Sequence, residues 1–226
     1  MKRDKHPWRH ATLLISILLL IIISPIVASL GQGVLIVNIA GTAVLLAGSF
    51  ALREQKTLFI AAIALSFLSI VTTGLMLFFP HPLTAIVSHV FDIILISFFA
   101  ITILVYVLRA SYITMDKIFA AICVYLLVGY AWTFAYALLE DSKPGSFKGL
   151  SEAAADNSVM RVMQLRYYSY ITLTTVGYGD ISPVSPAAQT MAILEAIMGQ
   201  FYLAVLVARL VGLQIVDATT PPDRNA

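Results

Sequence analysis

The sequence predicts an all-α integral membrane protein with six transmembrane helices and a shorter re-entrant helix between the fifth and the sixth. Hydrophobic residues make up 60% of the chain and charged residues 12%, and the mean hydropathy is +0.92, which excludes an ordinary water-soluble domain. Crossing a bilayer takes roughly 20 apolar residues. Six stretches have about that length: 11–30, 33–52, 57–79, 83–108, 117–139 and 187–216.

The segment 140–186 separates the last two spans and differs from them in composition. It begins with polar, Gly- and Pro-containing residues and continues into residues 159–174, which are too few to cross the membrane. Their mixture of Tyr, Leu, Met and Thr suits a half-membrane helix that is buried in protein. Asn157 or Ser158 is placed to cap its N-terminus.

The positions of Lys and Arg predict the orientation. Basic residues precede the first span and join the second to the third and the fourth to the fifth: Lys2, Arg3, Lys5, Arg9, Arg53, Lys56, Arg109 and Lys117. The opposite connections, at 31–32 and 80–82, contain neither residue type. We therefore expect both termini in the cytoplasm of a bacterial cell and the segment 140–186 outside. Residues 1–30 also have the pattern of a signal peptide, but their long apolar run favours a retained helix.

Composition also limits the chemistry. A net charge of +2 gives no indication of nucleic-acid binding, and the single cysteine, Cys123, excludes a disulfide or a multi-cysteine metal site within one chain. The sequence contains no nucleophile–base pair, metal-ligand cluster or phosphate-binding loop. We therefore predict neither an enzyme nor a cofactor.

One motif points to ion conduction. Its residues are Thr175, Val176, Gly177, Tyr178, Gly179 and Asp180. A potassium ion that enters a pore must exchange its water shell for rings of backbone carbonyl oxygens. Aligning successive carbonyls requires backbone conformations of alternating handedness, which glycine permits. A chance match to this hexamer in a chain of this length is roughly a few in a million, so the motif predicts a selectivity filter.

Together with the preceding helix, segment 140–216 resembles the pore region of potassium channels: outer helix, pore helix, filter and inner helix. The resemblance implies that three identical subunits join this one in a homotetramer within membrane lipid, and that K⁺ is the permeant ion. It places K⁺ at Thr175, Val176, Gly177 and Tyr178, with Gly179 completing the filter and Asp180 at the outer mouth. Tyr167, Tyr168 and Tyr170 resemble the aromatic cuff that braces the filter. A pore-helix acid that often pairs with the aspartate is replaced here by Ile171, so Asp180 needs another partner.

The sixth span carries the candidates for filter support and gating. Glu195 is an intramembrane acid that we expect to brace the filter by accepting hydrogen bonds from pore-helix hydroxyl groups such as Thr172 or Tyr168, with an ion- or proton-linked role as the alternative. Gly199 resembles a hinge glycine, and the alternative is close helix packing. A hydrophobic constriction is predicted along the stripe Val207, Val211 and Ile215. Arg209 is expected to point away from the pore, toward the cytoplasmic interface or a neighbouring subunit.

We divide the chain into a four-helix domain (1–110), a pore domain (111–216) and a short polar tail (217–226). The fourth span contains no Lys or Arg, so the first domain lacks an arginine voltage sensor. His89 and Asp92 share a face of that span and form either a local pair or a proton-sensing site. The tail predicts no attached ligand-binding domain, and the sequence leaves a separate regulatory partner open. A potassium transporter and a non-conducting accessory subunit are the alternatives to a channel.

Overall fold

The chain folds into long apolar helices joined by short connections. The structure is a computed structural model that describes residues 9–28, 41, 44, 47–50, 55–79, 81–109, 112 and 114–219. Its elements are α1 (Arg9–Ala28), α2 (Lys56–Phe78), α3 (Pro82–Leu108), α4 (Met115–Ser142), β1 (Phe147–Lys148), α5 (Glu152–Asp156), α6 (Ser158–Leu173), β2 (Ser182–Pro183) and α7 (Pro186–Thr219). The prediction of a mostly helical, multi-pass membrane protein is confirmed.

Five helices of the described residues are long and apolar enough to span a membrane, namely α1, α2, α3, α4 and α7. Each corresponds to a predicted span and differs from it by a few residues at the ends. The predicted second span, 33–52, lies largely outside the described residues, of which 47–50 are helical. The connection 31–32 and several basic residues used for the orientation, such as Lys2 and Arg53, also lie outside them.

Polar residues cap the helices where the sequence changes character. The Thr114 hydroxyl accepts a hydrogen bond from the Lys117 N–H at the start of α4, and the His81 side chain does the same for the Leu83 N–H at the start of α3. Asn157 precedes α6, and its side-chain oxygen accepts hydrogen bonds from the N–H groups of Val159 and Met160 at 2.9 and 3.3 Å. The cap predicted for the half-membrane helix is therefore Asn157.

The main apolar core lies where α3 and α4 pack along their length with α1 against them. Leu13, Phe99 and Val124 are fully buried there, one from each helix. By contrast, α2 exposes large apolar side chains such as Ile60 and Phe67. Exposed apolar side chains on a spanning helix suit contact with lipid tails, which replace water as the solvent.

A two-stranded ribbon, which the sequence analysis did not predict, closes the segment around the filter. β1 and β2 are antiparallel and pair Phe147 with Pro183 and Lys148 with Ser182. The Glu140 carboxylate in the last turn of α4 accepts hydrogen bonds from the N–H groups of Gly145 and Phe147, at 2.7 and 3.1 Å. These contacts hold the start of the ribbon against the outer helix.

The inner helix α7 is longer than predicted. It begins at Pro186 and continues to Thr219, so the boundary predicted between a helix ending at 216 and a polar tail is wrong for residues 217–219. Residues 220–226 lie outside the described part.

Candidate ion-conduction site

The motif residues form a loop that begins where the half-membrane helix ends. α6 ends at Leu173 and is followed by Thr174 as its C-cap. The Ile171 carbonyl accepts hydrogen bonds from the N–H groups of Val176 and Gly177, at 2.9 and 3.1 Å. The loop therefore folds back onto the last turn of α6, and the negative end of the helix dipole points at the loop's inner end.

The backbone of the loop alternates in handedness. Positive φ angles occur at Thr175 (+59°), Gly177 (+53°) and Gly179 (+81°). The predicted left-handed conformation is present at the two glycines, and it occurs at Thr175 as well, which was not predicted. Left-handed φ is uncommon for a β-branched residue, so the contacts around Thr175 must hold it in this conformation. This alternation is the pattern that a ladder of aligned carbonyls requires.

Two residues outside the motif reach the inner end of the loop. Gln200 of α7 places its amide nitrogen 3.5 Å from the Thr175 hydroxyl oxygen, and the Tyr125 hydroxyl of α4 donates a hydrogen bond to the Leu173 carbonyl at 3.1 Å. Neither residue was identified from the sequence. A polar residue within an apolar span, 21 positions after Gly179, could have indicated Gln200 as a site residue.

Asp180 finds its partner on the pore helix. The Tyr167 hydroxyl hydrogen-bonds to the Asp180 carboxylate and holds its pKa below the ordinary value. Asp180 is fully exposed, so it remains ionised over the physiological range of pH. Tyr167 thus supplies the pore-helix partner of Asp180 that Ile171, being apolar, does not provide.

Glu195 lies fully buried behind the filter, between three helices. Its two carboxylate oxygens accept hydrogen bonds from the Ser169 hydroxyl of α6 and the Tyr136 hydroxyl of α4, each at 2.5 Å. The predicted pore-helix hydroxyl is present and is Ser169, whereas the two examples named from the sequence, Thr172 and Tyr168, are not the donors. The second donor, Tyr136 of α4, was not predicted. Thr172 and Tyr168 lie one helical turn apart on α6, and their side chains interact with each other.

The tyrosines of the pore helix have separate contacts. Tyr168 is buried against the rings of Tyr136 and Phe147, with ring centroids 5.1 and 5.3 Å away. The Tyr170 hydroxyl donates to the Leu126 carbonyl of α4 at 2.8 Å. Edge-on ring packing and a satisfied hydroxyl suit a rigid support.

Two glycines allow backbones to approach the filter closely. A Cβ atom on Gly199 would lie 2.3 Å from the Leu173 carbonyl oxygen, at the point where α7 crosses the end of α6. A Cβ atom on Gly149, which has a φ of +92°, would lie 1.9 Å from the Asp180 carbonyl oxygen. The close-packing alternative for Gly199 therefore has a definite contact, and Gly149 is a site residue that sequence reasoning missed.

Further along α7, the predicted constriction residues Val207 and Val211 are half exposed, and the Ile215 side chain lies outside the described ones. Arg209 donates a hydrogen bond to the Leu108 carbonyl at the end of α3 in the same chain. The predicted orientation toward the cytoplasmic interface or a neighbouring subunit stays a prediction.

His89 and Asp92 interact electrostatically, as expected for a local pair, but each has a shorter contact with another helix. Asp92 accepts a hydrogen bond from the Ser69 hydroxyl of α2 at 2.5 Å. His89 Nε2 instead lies 3.1 Å from Asp141 Oδ2 at the end of α4. Three residues apart on α3, the two side chains therefore diverge toward different neighbouring helices.

Comparison with known proteins relates part of this chain to a family. Residues 117–213, which run from the first turn of α4 through the filter loop and along α7, match the family model described as "Ion channel". Residues 117–213 are therefore similar to ion channels, over less than half of the chain. The match and the apolar helices agree on a multi-pass membrane protein with a region similar to ion channels.

Three relatives are similar to this chain over the same region. Protein LctB of Geobacillus stearothermophilus is 35% identical over 86 residues, which cover 38% of this chain and 62% of that protein. Protein LctB of Bacillus caldotenax is 27% identical over 99 residues, 44% of this chain and 73% of that protein. The inward rectifier potassium channel Kirbac3.1 of Paramagnetospirillum magnetotacticum is 31% identical over 85 residues, 36% of this chain and 24% of that protein. The chain thus spans less than two thirds of the first and third of these relatives, and no solved structure matches it.

Proposed function

We propose that this chain conducts K⁺ selectively and passively as a homotetramer, with Thr175, Val176, Gly177 and Tyr178 supplying the ion-coordinating oxygens. The observation that carries the proposal is the alternation of left-handed φ at Thr175, Gly177 and Gly179 in a loop of sequence TVGYGD. Rings of carbonyl oxygens from four such loops replace the hydration shell of K⁺. The similarity to a relative named as a potassium channel supports the same ion.

The exposure of the filter loop supports assembly around an axis. Val176 and Tyr178 of this loop are 51% and 73% exposed in a single chain. Large apolar side chains of α7, such as Phe201 at 66% exposure, are uncovered as well. One loop cannot enclose an ion, whereas four copies around an axis bury these surfaces and complete the rings.

We propose that the termini are cytoplasmic and that α5, α6 and the filter loop open toward the outside of a bacterial cell membrane. The support is the basic residues at the N-terminal ends of α1, α2 and α4, among them Arg9, Lys56 and Lys117. In this orientation Asp180 faces the external solution, where four carboxylates raise the local cation concentration.

The test is flux through the purified full chain in liposomes, with K⁺ or Na⁺ as the only permeant cation and the assembled mass measured in detergent. We expect K⁺ flux at least tenfold above Na⁺ flux and a mass of four chains. Gly177→Ala disfavours the left-handed conformation in the filter loop and should abolish selectivity. Gly145→Ala, a left-handed glycine outside the motif, serves as the control. Absence of K⁺ flux from this chain alone would support the accessory-subunit alternative, and uphill K⁺ accumulation would support a transporter.

A further inference from the structure

α3, which corresponds to the fourth predicted span, contacts the pore domain at both of its ends. Near its external end, His89 Nε2 lies 3.1 Å from Asp141 Oδ2, and Arg161 Nε of the pore helix lies 3.1 Å from Asp141 Oδ1. At the opposite end, the Leu108 carbonyl accepts a hydrogen bond from Arg209 of the inner helix. The first contact reaches the helix that holds the filter, and the second reaches the predicted gate region.

The external bridge is buried. The side chains of His89 and Asp141 are only 3% and 4% exposed, and that of Arg161 is 18% exposed. A charge-bearing contact at this burial is screened little by solvent, so the loss of one member costs far more than at a surface. The bridge therefore ties α3, the end of α4 and the start of α6 to one another.

Side chains rather than backbone packing make this connection. α3 packs along α4, but it makes little direct contact with either α6 or α7. A cavity of about 300 Å³ separates α3 from the pore helix and is lined by His89, Asp92 and Arg166 among others. The His89–Asp141–Arg161 bridge links the two helices by way of α4, which packs against both of them.

The cytoplasmic contact has a simple electrostatic origin. The last four carbonyl groups of a helix have no partner within it, and they form the negative end of the helix dipole. Leu108 is the last residue of α3, so its carbonyl is a favourable acceptor for the guanidinium of Arg209. Arg209 lies ten residues beyond Gly199 on α7, in the stretch that contains Val207 and Val211.

We propose that α3 is a strut that couples the pore helix to the cytoplasmic end of the inner helix, with His89 and Arg209 as the positioning residues at its two ends. Nineteen helical residues separate His89 from Leu108, a distance of about 29 Å. The first domain of this channel thus acts on conduction by holding two parts of the pore in register. The inference rests on the proposed K⁺ conduction, since its main readout is K⁺ current.

The test is a double-mutant cycle on the full-length channel in planar bilayers. His89→Leu removes the contact with Asp141, and Arg209→Met removes the contact with Leu108. The effects of two residues this far apart on the open-to-closed ratio normally multiply. If α3 couples them, the ratio of the double variant should differ at least about fivefold from the product of the two single effects. The control pair is Ile101→Ala with Arg209→Met, because Ile101 is 61% exposed on α3 and should show no such departure.

Conservative variants separate positioning from general destabilisation. His89→Gln keeps an amide donor for Asp141, and Arg209→Lys keeps a cation for the Leu108 carbonyl, so both should restore the wild-type open-to-closed ratio. An open-to-closed ratio of the double variant that lies within twofold of the product of the single effects would overturn the proposal. If the wild-type channel itself carries no K⁺ current, the proposed function fails instead, and the two failures are thereby distinguished.

A second measurement does not require current. A spin label at Ala208→Cys reports distances between inner helices, and the native Cys123 is buried. We expect His89→Leu to shift this distance distribution although the label lies near the opposite end of the molecule. An unchanged distribution in an intact assembly would also overturn the proposal.

Discussion

The hydrogen-bond partners of Glu195 differ from the examples named from the sequence. The residue is a carboxylate without a cationic neighbour among the described residues, held by two hydroxyl groups from α4 and α6. Such a group joins three helices behind the filter through hydrogen bonds alone. Its position therefore bears on the shape of the filter as well as on stability.

Replacing Glu195 by Leu should destabilise the assembly and reduce K⁺ selectivity. The substitution leaves the Ser169 and Tyr136 hydroxyl groups buried without this acceptor, at a cost of about 1–3 kcal/mol for each unsatisfied group. Ser169 keeps a second acceptor, the Gly129 carbonyl at 2.7 Å, so Tyr136 should carry most of the loss. Thermal unfolding in detergent and the K⁺/Na⁺ flux ratio measure both effects. Glu195→Gln retains one acceptor and should lose less, and equal losses in the two variants would contradict this account.

The Tyr167–Asp180 contact predicts a pH dependence at the outer mouth. A carboxyl with a lowered pKa keeps its charge to lower pH and loses it only as the pH falls through that pKa. Tyr167→Phe removes the hydrogen bond, so the pKa of Asp180 should rise toward its ordinary value of about 3.9. We expect the acid-induced fall in K⁺ conductance to occur at higher pH in Tyr167→Phe. In Asp180→Asn the conductance should be low and independent of pH in this range.

Among the elements, the β1–β2 ribbon and the crossing of α6 by α7 hold the filter loop in place. Both depend on a glycine at a point of close backbone approach, and both have a matched glycine elsewhere that lacks the contact. The chain thus provides its own controls for two substitutions.

Gly149→Ala should open the ribbon. Its Cβ would meet the Asp180 carbonyl oxygen at 1.9 Å, whereas a Cβ on Gly145, which has a similar φ of +82°, would meet nothing within 4 Å. Both substitutions carry the cost of a left-handed residue, about 1–2 kcal/mol, so their difference isolates the contact. Hydrogen exchange at the β1–β2 amides and K⁺ flux should be altered far more in Gly149→Ala, and similar behaviour of the two variants would refute the contact.

Gly199→Ala tests close packing against hinge bending. The added methyl group would force α7 away from the Leu173 carbonyl and cost about 1–3 kcal/mol by overpacking. Gly212→Ala on the same helix meets nothing within 4 Å and should be neutral or stabilising, since Ala is the better helix former by up to about 1 kcal/mol. The packing role predicts lower thermal stability of Gly199→Ala even under conditions that hold the channel closed. A variant of normal stability with altered opening alone would favour the hinge.

The whole molecule combines the predicted pore domain with N-terminal helices whose basic residues lie at the helix ends, such as Arg9 and Lys56. α3 contains no Lys or Arg, and moving one elementary charge across the membrane is worth about 2.3 kcal/mol per 100 mV. Helices without such charges respond little to voltage, whatever their packing.

Opening should therefore depend weakly on voltage. We expect an apparent gating charge well below one elementary charge per subunit in planar-bilayer recordings, because steep sensing uses three to four charges per subunit. Adding basic residues to α3 on its lipid-exposed face, for example Ile101→Arg, should destabilise the protein rather than create a sensor. A recording with several gating charges per subunit would show that another element carries charge through the field.

The sequence alone determined the membrane class, the positions of five described spans and the filter loop, and it limited the cap of α6 to Asn157 or Ser158. These depend on local properties: apolar length, capping chemistry and the need for glycine at left-handed φ. The partners of the buried polar groups depend on tertiary packing instead. Glu195 pairs with Ser169 and Tyr136 rather than Thr172 and Tyr168, and His89 has its shorter contact with Asp141 rather than with Asp92.

The physical reason is that a one-dimensional pattern fixes which face of a helix a side chain occupies but not which neighbouring helix covers that face. Residues that meet across α3, α4, α6 and α7 are separated by tens of positions in the chain, and the angle and height at which the helices cross decide the contact. The filter was readable because its chemistry lies in six consecutive residues. The bracing behind it required the assembled helices, because each carboxylate takes the nearest donor that packing supplies.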